Sequence, residues 1–265
     1  MLSIAHLGKT FEDGTRALSD VSLEVGKGEF VVVLGPSGSG KTTLLRCING
    51  LVTPSTGTVE LEGRRVAKDS LRQVRGRIGM IFQDFNLVGN LTALNNVLTG
   101  VLDRTATMAS LLYLFNKEHK LWALECLDRV GILAKAYTRA DRLSGGQQQR
   151  VGIARAIIKK PAVLLADEPV ASLDPLIAFN ILSLLKDINR THGITVVCNL
   201  HQVDFALRFA DRIVGLAGGG IVMDRPTDEV DEGYIQDIYR GHDQGLFFGP
   251  GADQARPEED LRFTA

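Results

Sequence analysis

One stretch constrains this chain more than any other: the apolar run Phe30-Val31-Val32-Val33-Leu34, followed at once by Gly35-Pro36-Ser37-Gly38-Ser39-Gly40-Lys41-Thr42. Five consecutive apolar residues suit a strand covered on both faces. The loop after it fits G-x-x-x-x-G-K-[ST], whose glycines let backbone N–H groups turn toward phosphate oxygens. A helix starting near Lys41 adds its positive N-terminal end. Lys41 is expected to neutralise β- and γ-phosphates, and the Thr42 hydroxyl to ligate Mg²⁺. A plain glycine-rich turn does not account for Lys-Thr at this offset between a strand and a helix.

Two further motifs extend the same chemistry. Val163 to Pro169 place Asp167 and Glu168 at the end of a second apolar strand. Asp167 can hold Mg²⁺ through water, and Glu168 can deprotonate an attacking water. By themselves, two acids there could equally begin a loop. Leu143 to Arg150, "LSGGQQQR", put a Ser-Gly-Gly turn at a helix start, again an anion-binding geometry. A cap by Ser144 explains the serine alone. One nucleotide has no need of two such loops from one chain, so each chain would lend one to a partner's nucleotide.

The remaining pattern predicts the frame around these loops. Residues 1–34 alternate, as in Val21, Leu23 and Val25, which predicts antiparallel strands. From about residue 92 the period becomes helical. Leu121, Leu124, Leu127 and Val130 recur with Gly131 as a stop, and a helix reads over 147–159 before Pro161. Asp174 caps a helix with Pro175 in its first turn and Ile177, Ile181, Leu184, Leu185 and Ile188 on one face, ended by Gly193. Strands alternating with helices imply a mostly parallel sheet between helices. The helical block over about 90–158 interrupts that alternation and reads as a subdomain. Residues 241–265 show no period and read as a flexible tail, with docking of Phe247 and Phe248 as the alternative.

Composition narrows the class. A hydrophobic fraction of 45% supports a sizeable core, and a net charge of -1 argues against a general nucleic-acid coat. The longest apolar candidate, Met108 to Phe115, falls short of the ~20 residues that span a bilayer, and no signal peptide is evident. Cys47, Cys126 and Cys198 read as core residues of a reducing compartment. These features predict a soluble, cytosolic chain. The basic run Arg64, Arg65, Lys68, Arg72, Arg75 and Arg77 reads as a solvated face, with contact to lipid headgroups or a membrane subunit as the alternative.

Taken in order, the motifs resemble the nucleotide-binding subunit of an ATP-binding-cassette (ABC) transporter over roughly residues 1–240. That resemblance implies an α/β fold: a P-loop NTPase (RecA-like) core with a mostly parallel sheet, an N-terminal antiparallel β subdomain and a helical ABC subdomain. It makes Phe11 the aromatic that stacks on adenine, where a lone aromatic is otherwise read as core. Gly35, Pro36, Ser37, Gly38, Ser39, Gly40, Lys41, Thr42 and Thr43 become the Walker A loop. Gln83 becomes the Q-loop glutamine, touching Mg²⁺ with Thr42 and Asp167. Ser144, Gly145, Gly146 and Gln147 become the signature, and "LLADE" Walker B. Residues 171–174 become the D-loop. His201, at the end of the apolar run before "NLHQ", becomes the switch histidine, acting with Glu168 and Lys41 in catalysis. ATP and Mg²⁺ are the implied cofactors, and a head-to-tail dimer with two sandwiched ATP molecules the implied assembly. Integral membrane permease subunits are implied partners, a substrate-binding protein an indirect one, and nucleic acid none. The implied location is peripheral, at the cytoplasmic face of a bacterial membrane.

Cassettes of other classes, acting in DNA repair, chromosome organisation or translation, fit less well. Only residues 43–142 separate phosphate loop and signature, without extended heptads. There is one cassette rather than two in tandem, and no cysteine pairs for zinc. An exporter fused to its membrane domain would need spanning segments. Within importers, "FQDFNLVGNLTALNNVLTG", "SLLYLF", "ADEPVASLDP" and "NLHQVDFAL" resemble phosphonate-importer ATPases, with phosphite or phosphate as related cargo. Ala171 to Asp174 and His201-Gln202 depart from the Ser-Ala-Leu-Asp and His-Asp of many other importers. A polar amino-acid or methionine importer is the alternative.

Overall fold

The computed structural model describes residues 1–104 and 115–239. The tail from 241, with Phe247 and Phe248, and most of Met108 to Phe115 lie outside the described residues. Two sheets form the frame. The smaller has the order β2-β1-β4-β5, built from β1 (Leu2–Thr10), β2 (Arg16–Val25), β4 (Thr56–Leu61) and β5 (Arg64–Arg65). Its pairings are antiparallel, and Val21, Leu23 and Val25 are buried as the alternation predicts.

The larger sheet has the order β10-β9-β3-β8-β7-β6. Its strands are β3 (Phe30–Leu34), β6 (Ile78–Ile81), β7 (Val163–Asp167), β8 (Thr195–Asn199), β9 (Arg212–Ala217) and β10 (Gly220–Pro226). All neighbours run parallel except the β9–β10 hairpin. The mostly parallel core and the antiparallel N-terminal sheet are therefore both present.

The unbroken apolar character of β3, β7 and β8 has a direct cause: both faces of the sheet are covered. Phe30, Val32, Leu34, Leu164, Ala166, Val196 and Cys198 pack into one apolar cluster. It also takes in α3 (Ala93–Leu98), α4 (Lys117–Arg129), α5 (Gly145–Ile157), α6 (Pro175–His192), α7 (Val203–Phe209) and α8 (Glu232–Tyr239). Val31, Val33, Val163, Leu165 and Val197 face the other way, onto the small sheet and α1 (Lys41–Ile48). Each fully buried Val or Leu contributes ~1.5–3 kcal/mol, so the central strands are the most heavily stabilised part of the molecule. The buried residues of the helical block belong to the same cluster as one sheet face.

Helix signals in the sequence land close to the observed ends. Asp174 caps α6 by accepting from Ile177 N at 3.0 Å, Pro175 opens the helix, and Gly193 ends it at φ 61°. In α4 the buried stripe is Ala123, Cys126, Leu127 and Val130, whereas Leu121 is 51% exposed. Steps of three precess around a helix of 3.6 residues per turn, so Leu121, Leu124, Leu127 and Val130 cannot share one face. The three cysteines are free and buried, as expected, and burial pushes the Cys47 and Cys126 thiols up to about 11 and about 12.

Between β5 and β6, α2 (Leu71–Arg75) carries part of the basic run. That run is not simply solvated. Arg75 donates to Asn49 O (3.1 Å) and Gly50 O (2.7 Å), closing the end of α1. Arg77 makes a bidentate pair with Glu62, both bonds 2.8 Å, which holds the Glu62 carboxyl below its usual range.

Candidate nucleotide site

In open parallel sheets ligands bind beyond the carboxyl ends of the strands, and here the ends of β3, β7 and β8 bring three motifs together. Beyond β3 the chain turns through Gly35 to Gly40 and enters α1. Gly40 sits at φ 105°, and a Cβ there would lie 2.3 Å from Ala17 O on β2. Left-handed backbone and a fixed backbone oxygen both demand glycine. Gly40→Ala is therefore expected to distort the loop and weaken ATP binding at least tenfold, about 1.4 kcal/mol, while lowering the melting temperature. Equilibrium binding of a fluorescent ATP analogue and a thermal melt check this.

Lys41 is 4% exposed, and its Nζ donates to Gly35 O (2.7 Å) and Pro36 O (3.0 Å). An ammonium has three N–H donors, so one remains. Burial lowers the Lys41 pKa, while the charges of Glu168 and Asp167 oppose that shift. Ser39 Oγ is buried and bonds nothing among the described residues. A buried hydroxyl and an ammonium with a spare donor, at the start of a helix, fit a polyphosphate.

Thr42 Oγ1 donates to Asp167 Oδ1 at 2.9 Å, so the hydroxyl and the carboxylate that the motifs pair meet at one point. Such hard oxygen donors suit Mg²⁺. Asn199 Nδ2 donates to the same Asp167 oxygen at 2.8 Å. The sequence reading did not single out Asn199. Its signal is the β7–β8 register, which sets Asp167 directly beside Asn199. Next to Asp167, Glu168 adopts φ 48°, a left-handed conformation rare for a side-chain-bearing residue and common at functional sites. His201, at the bend after β8, donates from Nε2 to Glu168 Oε1 at 2.6 Å. Strand end, acid and histidine are thus joined through a contact that spacing alone does not reveal.

The other predicted residues surround this cluster. Phe11 directly follows β1 and is 39% exposed, which removes the core reading; Lys9 Nζ lies 5.1 Å from its ring centroid. Gln83 is exposed in the turn after β6. Ser144 caps α5, its N–H donating to Gln147 Oε1 at 3.1 Å. A Cβ at Gly146 would meet Ile177 Cγ2 at 2.7 Å, so the signature glycines let α5 approach α6 closely. Gln149, also not singled out from sequence, is fully buried and donates to Pro169 O at 2.7 Å, linking α5 to the residue after Glu168. Thr42 bonds Asp167 and His201 bonds Glu168, while Lys41 bonds the loop carbonyls and feels the charges of both acids. Ser144 and Gln147 bond each other. A cleft of about 240 Å³ adjoins the Gln83 turn, lined by Asn49, Arg75, Phe82, Gly100, Arg155 and Lys159 among others.

The "ABC transporter" family model matches residues 18–171, within which lie the phosphate loop, the signature and the Asp167-Glu168 pair. With that match and the relatives below, the chain belongs to the ABC transporter family, as an ATPase coupled to transport. It is 51% identical over 239 residues to "Phosphonates import ATP-binding protein PhnC" of Thiobacillus denitrificans, covering 90% of this chain and 92% of that one. It is 50% identical over 250 residues to "Phosphonates import ATP-binding protein PhnC 3" of Nostoc sp., covering 94% and 95%. Among solved structures it matches the dimeric post-hydrolysis state of the ATP-binding cassette MJ0796 bound to ADP and Pi. That match has 37% identity and TM-score 0.75, covering 86% of this chain and 99% of that one. The ADP conformation of the cassette MJ1267 matches at 28% identity and TM-score 0.79, covering 91% and 98%. Among the described residues, no helix is long and apolar enough to cross a membrane.

Proposed function

We propose that this chain is the ATP-hydrolysing subunit that powers import of phosphonates, or the related phosphite or phosphate, through a separate membrane permease. The observation that carries the ATPase chemistry is the meeting of Lys41, the Thr42–Asp167 pair and the Glu168–His201 pair beyond β3, β7 and β8. The cargo reading is supported by relatives named for phosphonate import at 45–51% identity.

ATP stacks its base on Phe11 and lays its phosphates along residues 35–43, with the spare Lys41 donor and Ser39 Oγ toward them. Thr42, Gln83 and Asp167 would hold Mg²⁺, which supplies charge neutralisation at the phosphate oxygens. Asn199 fixes the Asp167 carboxylate through the oxygen it shares with Thr42. A second copy packs head to tail and presents its Ser144, Gly145, Gly146 and Gln147 to the γ-phosphate. Glu168 takes the proton of the attacking water. His201, bonded to Glu168, holds that carboxylate in place and contacts the γ-phosphate. Closure around ATP and reopening after hydrolysis bias the permease through the cleft beside Gln83, because the two states bind nucleotide with different affinity. The chain then sits peripherally at the cytoplasmic face of the membrane, and meets the cargo-binding protein only indirectly.

The test is the chain assembled with its permease and binding protein in lipid vesicles. Methylphosphonate is expected to stimulate ATP hydrolysis severalfold, and phosphite or phosphate to a lesser degree. Stimulation by methionine and not by any phosphorus oxyanion would sink the cargo reading.

A further inference from the structure

The last residue of β8 is an amide in apolar company. Val196, Val197 and Cys198 are buried, and Asn199 lies at the same depth, 0% exposed. Asparagine is poorly suited to a strand and costly to bury unless its polar atoms find partners. One of them does: Nδ2 donates to Asp167 Oδ1 at 2.8 Å. Only the N–H end of an amide can donate to a carboxylate, which fixes the end of Asn199 that faces Asp167. The other end, the carbonyl oxygen Oδ1, is buried and bonds nothing among the described residues. An unpaired buried carbonyl is destabilising, and marks a place that suits a further donor.

Side chains alternate along a strand, so Asn199 shares the face of Val197, which packs into the cluster holding Leu44, Leu45 and Ile48 of α1. Asp167 shares the face of Leu165, in the same cluster, and the β7–β8 register sets it beside Asn199. On β3 the partner of Asn199 is Val33, two residues before Gly35 opens the phosphate loop. Asn199 is thus flanked by the phosphate-loop strand and the acid strand, on the face covered by the helix that begins at Lys41 and Thr42. Thr42 Oγ1 donates to the same Asp167 oxygen, at 2.9 Å. Both donors hold Oδ1, which leaves Oδ2 as the oxygen for a further partner. A hydroxyl has one proton, so Thr42, having given it to Asp167, offers only lone pairs, as a cation requires. Two residues on from Asn199, His201 bonds Glu168. The end of β8 therefore orients both acids.

We propose that Asn199 is a positioning residue that sets the affinity of the site for Mg²⁺, holding Asp167 through Oδ1 and offering its own carbonyl to a water of the metal's shell. The proposal rests on the reading of Thr42 and Asp167 as the Mg²⁺ site. Bound Mg²⁺ keeps several of its waters, and these are the donors that the Asn199 carbonyl lacks. Residues that hold a metal's ligands in place typically set roughly 10–100-fold of its affinity. Among the described residues the Asn199 side chain bonds Asp167 and no part of the 35–41 loop. Its loss therefore weakens metal binding and spares the binding of nucleotide without metal.

The test measures binding of a fluorescent, non-hydrolysable ATP analogue to the full chain, in EDTA and in Mg²⁺. It compares the parent with Asn199→Leu, which keeps the branched shape of the side chain and removes both polar atoms. In EDTA the two should agree within about twofold, and in Mg²⁺ the variant should bind about tenfold more weakly. By linkage the same factor should appear in the affinity for the metal. Electron paramagnetic resonance of Mn²⁺, titrated into chain saturated with the analogue, reads that affinity directly. Equal weakening with and without metal would overturn the proposal, because Asn199 would then shape the pocket as a whole. Binding identical to the parent's in both conditions would overturn it too. If a thermal melt shows Asn199→Leu unfolded, Asn199→Val, β-branched and suited to a strand, takes its place. The same loss confined to the metal is expected of it, and its absence would overturn the proposal. A parent chain whose nucleotide binding did not respond to Mg²⁺ would remove the metal site and the proposal with it, whereas a responsive parent matched by its variants would remove the proposal alone.

Discussion

Glu168→Gln is expected to abolish steady-state ATP hydrolysis while leaving ATP binding intact. The amide keeps the volume of the carboxylate and a hydrogen bond to His201, which lies 2.6 Å away in the parent. What it loses is the lone pair that takes a proton. A positioned general base contributes roughly 10²–10⁴-fold to the rate, so kcat should fall by that range. Because the phosphate loop and Asp167 are untouched, the nucleotide still binds, and with hydrolysis blocked two copies should accumulate closed around ATP. Phosphate release and size-exclusion chromatography with Mg-ATP measure the two halves of this expectation. Unchanged hydrolysis would remove Glu168 from the role assigned to it, and lost binding would show that the side chain shapes the pocket instead.

Lys41→Ala should fail at the earlier step. The ammonium is 4% exposed, anchored on Gly35 O and Pro36 O, and faces the charges of Asp167 and Glu168. Its removal deletes a charge-assisted donor to phosphate worth about 1.5–3 kcal/mol, roughly a 10- to 100-fold weaker Kd for ATP. Calorimetric titration with ATP measures that change. A Kd matching the parent's would contradict the role of Lys41 in binding.

Much of this frame is legible along the chain because its signals are local. The run Phe30 to Leu34 is apolar throughout because two clusters cover its two faces. Asp174, Pro175 and Gly193 mark α6 because caps act within a turn of the residue that makes them. The leucines at intervals of three mark α4 itself, but a helix turns by 100° per residue, so Ala123 and Cys126 are buried with Leu127 while Leu121 is exposed. The contacts that join one motif to another are of a different kind. Asn199 reaches Asp167 across a parallel pairing, Gln149 reaches Pro169 from another helix, and Arg155 reaches Phe85 and Asn86 through the fold. Each partner lies many residues away, and none of these side chains departs from the polar background in a way that period or motif can register. The glycines show both sides. Gly40 belongs to a motif legible as a phosphate loop, but the reason for its small size, Ala17 O at 2.3 Å from a Cβ, exists only once β2 is in place.

The most direct measurement of the central claim is uptake of radiolabelled methylphosphonate into vesicles that hold the permease, its binding protein and this chain. The account predicts ATP-dependent accumulation with the parent chain and none with Glu168→Gln. Accumulation that persists with Glu168→Gln, or that requires no ATP, would contradict it.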